Sequence, residues 1–156
     1  LVPLEQTVFN LNSDGAGYND TRYVSIIGYD RTGVEGLIDQ AAAAFNLEVF
    51  PDPAPGQNLF DRSDNVSFAA KGVPAINFSP GMTEFDEEIR RHYHQVSDEA
   101  DGLDYGYLLR FWQSFTHAAR LIADREARPL WKAGDKYEEA GKALYESQKS
   151  DGKGQK

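Results

Sequence analysis

The chain contains no cysteine. That absence removes disulfide frameworks and thiolate metal sites, and it leaves the compartment open. Long apolar runs are missing too. No window approaches the roughly 18 apolar residues that a spanning helix needs, so no membrane span is expected. Positive charge is scarce: 16 Lys and Arg stand against 25 Asp and Glu, for a formal net charge of −9. No long Lys/Arg cluster lies outside the tail, which argues against a nucleic-acid partner, since that would call for a basic stripe. Acidic metalloenzymes and ordinary solvated surfaces both fit such a balance. There is no internal repeat. The opening stretch "LVPLEQTVFN" has no methionine, no basic n-region and no signal-like apolar block. The chain therefore reads as a mature product or a fragment, with any export signal lying upstream.

What is present suffices for one globular core. Of 156 residues, 40% are hydrophobic, which suits one domain plus a tail. The expected division is a domain over 1–127 and a charged helical tail over 128–156. "TVFNLN" (7–12) has strand character and is followed by the turn formers "SDGAGYND". "RYVSIIGY" (22–29) reads as a second strand. "GVEGLIDQAAAAFN" (33–46) then reads as a helix, with Val34, Leu37, Ile38, Ala41 and Phe45 on one face. "LEVF" suits a short strand, and the three prolines of "PDPAPG" end any regular element.

Ser63 or Asp64 is placed to cap a helix through "NVSFAAKG", with Gly72 as its stop. "VPAINFS" (73–79) reads as a short buried strand, with Pro74 near its start where a missing N–H is tolerated. Residues 80–102 read as a long polar loop, a length that usually signals function or disorder. "DYGYLLRFWQSFTHAARLIADREA" (104–127) is an amphipathic helix whose apolar face would hold Leu108, Phe111, Trp112, Phe115, Ala119 and Ile122. His117 within it reads as an ordinary helix residue. After Pro129 a charged helix of few apolar positions reads first as a solvated appendage and second as a docking helix for a partner, and "SDGKGQK" (150–156) reads as disordered. The alternation of strand, helix and strand points to an α/β sandwich around a sheet.

Three short stretches could bring polar groups to one edge of that sheet. In "NSDGAG" (12–17), Asp14 follows a strand directly, where open α/β sheets bind ligands; the plainer reading is an Asp in a glycine-rich turn. In "DRSDNVSF" (61–68), the plainer reading is a helix cap. In "EEIRRHYHQVSDEAD" (87–101), His92 or His94 could bind Zn²⁺ if a carboxylate from elsewhere met it. Taken singly, none is decisive.

Their order and spacing add more. "NSDGAG", then "RSDNVSFAAKGVPA", then "YHQVSDEAD" together resemble the C-terminal half of the zinc aminopeptidases of metallopeptidase family 28, of the bacterial leucyl aminopeptidase and aminopeptidase S type. Asn12, Asp14 and Gly17 match that family's Asn-x-Asp-x-x-Gly strand end. Ser63, Asp64, Asn65, Phe68, Gly72, Val73, Pro74 and Ala75 run alongside its Ser-Asp-His, aromatic and Gly-Ile-Pro-Ala pattern. Tyr93, His94, Gln95, Val96, Ser97 and Asp98 stand against Tyr-His-Thr-Pro-x-Asp. Asn65 in place of the more usual His, and "QVSDE" after the ligand position, are departures that remove no metal ligand and read as marks of a subfamily.

The resemblance covers roughly residues 5–125 and implies a three-layer α/β/α sandwich with a mixed sheet, of the zinc-exopeptidase kind, here only its C-terminal part. It implies that Asp14 binds one zinc ion and His94 the other, in a pair of Zn²⁺ ions bridged by an Asp and by a water or hydroxide. Ser63 would orient His94 by a hydrogen bond, and His92 would remain solvent-facing or at the pocket rim. Asp64, Asn65, Glu84 and Tyr93 would lie about the pocket for a peptide substrate, with loop 80–93 as part of its wall. The family's remaining groups, a His-x-Asp pair and a Glu next to the general-base Glu, lie upstream of the strand bearing Asp14. The expected partner is therefore the missing N-terminal half of the catalytic domain. Relatives are commonly exported. The same scaffold also carries catalytically silent members used for binding, a reading that retention of both Asp14 and His94 disfavours. The acidic loop "TEFDEE" (83–88) reads first as a solvated charged loop, and second as a wall favouring basic substrates.

Overall fold

The computed structural model of the chain describes residues 2–15 and 17–151, with side chains as far as residue 145. Four strands form one mixed sheet: β1 (Asn10–Asn12), β2 (Tyr23–Ile27), β3 (Glu48–Pro51) and β4 (Ala75–Pro80), in the order β1-β4-β2-β3. β1 runs parallel to β4, β2 parallel to β3, and β2 antiparallel to β4. Among the described residues five α-helices accompany them: α1 (Glu35–Ala43), α2 (Asn65–Ala69), α3 (Glu87–His92), α4 (Tyr105–Ala123) and α5 (Glu138–Asp151). The α/β class read from the sequence is thus the one observed.

Successive residues of a strand point to opposite faces of its sheet, and that parity sorts the core into two. Val24, Ile26, Ile76 and Phe78 turn to one face, where they meet Val34, Ile38 and Ala41 of the α1 region and Tyr107, Phe111 and Ala118 of α4. Phe78 packs against Phe111, tilted to it, and edge-on against Phe115, with ring centroids 5.6 and 5.7 Å away. Ile27 and Ala75 turn to the other face, where Leu59, Phe60 and Ala69 cover them.

α4 starts where Asp104 accepts the Tyr107 N–H at 3.0 Å, an ordinary N-cap. Its buried stripe is Tyr107, Leu108, Phe111, Ser114, Ala118 and Ile122. Trp112, expected on that face, is 47% exposed. The helix is rolled toward Tyr107, because the Tyr107 hydroxyl donates to the carbonyl of Tyr23 at 2.8 Å and accepts the N–H of Gly81. Burial pushes that phenol up to about 12, so it stays protonated and keeps its donor. His117 is half-buried edge-on to Phe45, an ordinary helix residue.

Three expectations are corrected. Neither Ser63 nor Asp64 caps α2 through its side chain; the helix begins with no side-chain cap, because the Ser63 hydroxyl donates to the Leu59 carbonyl instead at 3.1 Å. Residues 80–102 are not one long loop, since Asp86 accepts the Ile89 N–H at 3.0 Å and starts α3 there. The segment from 128 is no solvated appendage. Trp131 and Tyr137 are 6% and 7% exposed and complete the second core beside Phe60.

That docking has definite anchors. The Arg31 guanidinium donates to both carboxylate oxygens of Asp135, at 2.7 and 2.9 Å. It also lies 4.1 Å above the Phe60 ring, a cation–π contact. Tyr145 donates to the Thr7 carbonyl at 2.8 Å. Of the residues 150–156 expected to be disordered, 150 and 151 instead continue α5, and 152–156 lie outside the described residues.

Candidate functional site

β1 and β4 run side by side in the same direction, so their carboxyl ends share one edge of the sheet. Asp14 lies two residues beyond β1, and the chain leaving β4 leads through Gly81 to α3. Between them opens a cleft of about 480 Å³. Its lining includes Asp14, Ser63, Asn77, Phe85, Tyr93 and His94. Expected residues from three separate stretches thus face a single space.

Asp14 is exposed, but its carboxylate is held. Asn77 Nδ2 donates to Oδ2 at 2.9 Å, and Asn12 Nδ2 donates to Oδ1. The same Asn77 amide donates to Ser63 Oγ at 3.1 Å. The Ser63 hydroxyl proton goes to Leu59, so Ser63 is tied through Asn77 to Asp14 and not, as expected, to His94.

His94 follows α3 in a tight turn, with φ +58°. Gln95 N–H donates to the His92 carbonyl at 2.9 Å, and Ser97 Oγ donates to the Arg91 carbonyl at 2.7 Å, which closes the turn at its base. The His94 ring stacks on Tyr93, with centroids 4.1 Å apart and planes 20° apart. Phe85 supports Tyr93 from the edge at 5.2 Å. The imidazole is therefore oriented by aromatic packing, and offset stacking of this kind adds about 0.5–1.5 kcal/mol beyond the area it covers. His92 lies on the cleft wall, its Nδ1 2.6 Å from the Ser97 carbonyl, which suits the rim position expected for it.

Asp64, Asn65 and Glu84 do not line the cleft. Asn65 is fully buried, donating to the Phe60 carbonyl at 3.1 Å; Asp64 and Glu84 are turned to solvent. Of the acidic residues in the run 83–88, only Glu88 lines the cleft, joined there by Asp98 and Glu99 from beyond His94. Asn77 and Ser79 were not singled out from the sequence. A signal existed: in "AINFS" two polar residues alternate with apolar ones, so both share the face that carries Ile27 and Asn12.

The family model described as Peptidase family M28 matches residues 2–119. The chain belongs to peptidase family M28. No curated protein and no solved structure matches it. The match takes in Asp14, Ser63, Tyr93 and His94 and stops inside α4, so the docked segment from 128 lies beyond it. Membership places this M28 chain among metallopeptidases, and the chemistry class is hydrolysis of a peptide bond.

The donors present suit zinc in kind and fall short in number. A carboxylate and an imidazole are ordinary zinc ligands, and a ligating carboxylate is commonly hydrogen-bonded from behind, as Asp14 is by two amides. Among the described residues no three His, Cys, Asp or Glu side chains converge to hold a metal. A catalytic zinc takes about three protein ligands.

Proposed function

We propose that this M28 chain is the C-terminal part of the catalytic domain of a dizinc aminopeptidase, which removes N-terminal residues from peptides. The observation that carries the reading is the meeting of Asp14 and His94 in one cleft at the carboxyl ends of parallel strands. Residues 80 positions apart in the sequence are brought there, and ligands of open α/β sheets bind at such an edge.

In this reading Asp14 and His94 each hold one of two Zn²⁺ ions. Such ions, when bound there, would supply an activated water and polarise the scissile carbonyl. This chain's own residues have narrower tasks. Asp14 offers a carboxylate fixed by Asn12 and Asn77. His94 offers an imidazole fixed against Tyr93. Tyr93, Phe85 and Ile89 give the cleft an apolar wall against which a substrate side chain can lie. The general-base Glu, the other zinc ligands and the proton transfer belong to an N-terminal half that partners this one. Alone, the chain binds zinc weakly and turns nothing over. Export follows the habit of the family it resembles.

The test is peptidase activity toward peptides with a free N-terminus, measured on the full-length protein. Activity is expected to vanish on chelation and in His94→Ala. Full activity in His94→Ala would overturn the site, and equal rates on N-terminally blocked peptides would overturn the exopeptidase reading.

A further inference from the structure

We infer that Asn77 is the positioning residue for Asp14. The inference rests on the reading of Asp14 as a metal ligand given above. Asn77 sits near the end of β4 and is 2% exposed, so its amide has no water to fall back on. An ionised carboxylate only accepts hydrogen bonds, so the nitrogen end of the amide must face Asp14. Both protons of Nδ2 are used, one on Asp14 Oδ2 at 2.9 Å and one on Ser63 Oγ at 3.1 Å. The oxygen end accepts from Ser79 Oγ at 3.1 Å. Ser63 in turn donates to the Leu59 carbonyl.

The amide is therefore held at three points, and a flip would turn its oxygen against the Asp14 carboxylate, which can only accept. Asp14 itself is on an exposed turn beyond an edge strand, free to choose another rotamer but for its two amide donors. Asn12 is half-buried in that same short strand and moves with it. Asn77 reaches across from the neighbouring strand, so it alone of the two ties the carboxylate to the interior of the sheet. One lone pair on each Asp14 oxygen is taken up by an amide, which leaves the others for a cation in the cleft. A positioning partner of this kind is typically worth about 10–100-fold in metal affinity or activity.

The experiment compares Asn77→Leu, Asn77→Ser and Asp14→Ala in the complete peptidase. Leu matches the amide in shape and can neither donate nor ligate; Ser is small, stays polar and is too short to reach Asp14, so it serves if the Leu variant does not fold. Zn²⁺ affinity is measured by competition with a chromophoric chelator, and the visible spectrum of the Co²⁺-loaded protein reports ligand geometry. Asp14→Ala is expected to lose one ion. The Asn77 variants are expected to bind that ion about 10–100-fold more weakly, with a changed Co²⁺ spectrum and a fall in kcat larger than any rise in KM. Unchanged affinity and spectrum in both Asn77 variants, with the ion lost in Asp14→Ala, would overturn the role of Asn77 and leave that of Asp14 standing. Unchanged affinity in Asp14→Ala would overturn the ligand reading, and the role of Asn77 with it.

Discussion

Trp131 donates its indole N–H to the carbonyl oxygen of Gly72 at 3.1 Å. Gly72 ends the turn after α2, and Trp131 comes from a segment that the sequence pattern makes look detached. The bond joins the M28-matched portion to residues beyond it. Phe60 and Tyr137 pack against the same indole, with ring centroids 6.2 and 5.2 Å away.

Trp131→Ala should accordingly destabilise the chain by about 3–5 kcal/mol, the usual cost of truncating a buried aromatic. Trp131→Phe keeps most of the packing and strands one buried carbonyl, for about 1–3 kcal/mol. Urea midpoints give both values. A loss below about 1 kcal/mol in the Ala variant would mean that the segment from 128 contributes little to the core.

Gly72→Ala should undock α5. Gly72 has φ +93°, and a Cβ there would lie 2.3 Å from the backbone oxygen of Ala140. Backbone oxygen cannot step aside as a flexible side chain can, and the left-handed conformation adds roughly 1–2 kcal/mol of its own for a non-glycine residue. Limited proteolysis is expected to cut the variant between 128 and 137 while the parent resists; equal resistance would refute the tight docking.

Asp61 should show in the acid limb of stability. Lys136 and Tyr137 both hydrogen-bond its carboxylate at 2.7 Å and hold its pKa at about 2, below the usual 3.8. Between those values the unfolded chain binds the proton and the folded one does not, so stability rises with pH there. The contribution is complete above pH 3.8 and disappears as pH falls through about 2. With Lys136 largely in solvent it is on the order of 1 kcal/mol. The difference in melting temperature between parent and Asp61→Asn should shrink as pH falls from 5 to 2; a constant difference would contradict it.

Asp86→Ala should loosen α3 and little else. Removing such a cap costs about 1 kcal/mol, and a six-residue helix has little to offset it. Amide exchange at 87–92 is expected to quicken severalfold, with the global unfolding midpoint nearly unchanged. Unaltered exchange would mean that Ile89, buried beneath the cleft, anchors the helix without its cap.

Much of the fold was legible because its signals are local. The strands around 24–27 and 75–80 read as apolar runs, and α1 and α4 as helical spacing; Gly72 as a stop is borne out by its positive φ. α3 was hidden because "EEIRRH" is nearly all polar and buries only Ile89. The docking of 128–145 was hidden for a different reason. Trp131 and Tyr137 are spaced for no regular element, and their burial depends on Phe60 and Gly72, far off in the chain. At the site, the motifs pointed to Asp14, Ser63 and His94, whereas the link from Ser63 to Asp14 depends on an Asn77 amide that only the register of β1 against β4 brings within reach.

Asn19 joins the two arms of the cleft. Its Nδ2 donates to the Glu84 carbonyl at 3.1 Å and its Oδ1 accepts the Thr83 N–H at 3.0 Å, so the loop bearing Asp14 is laced to the one leading to His94. The loss of chain freedom needed to bring two such distant loops together, about 1–2 kcal/mol per residue fixed, is met during folding. The relative placement of the two loops is therefore set by the fold itself, before anything enters the cleft between them.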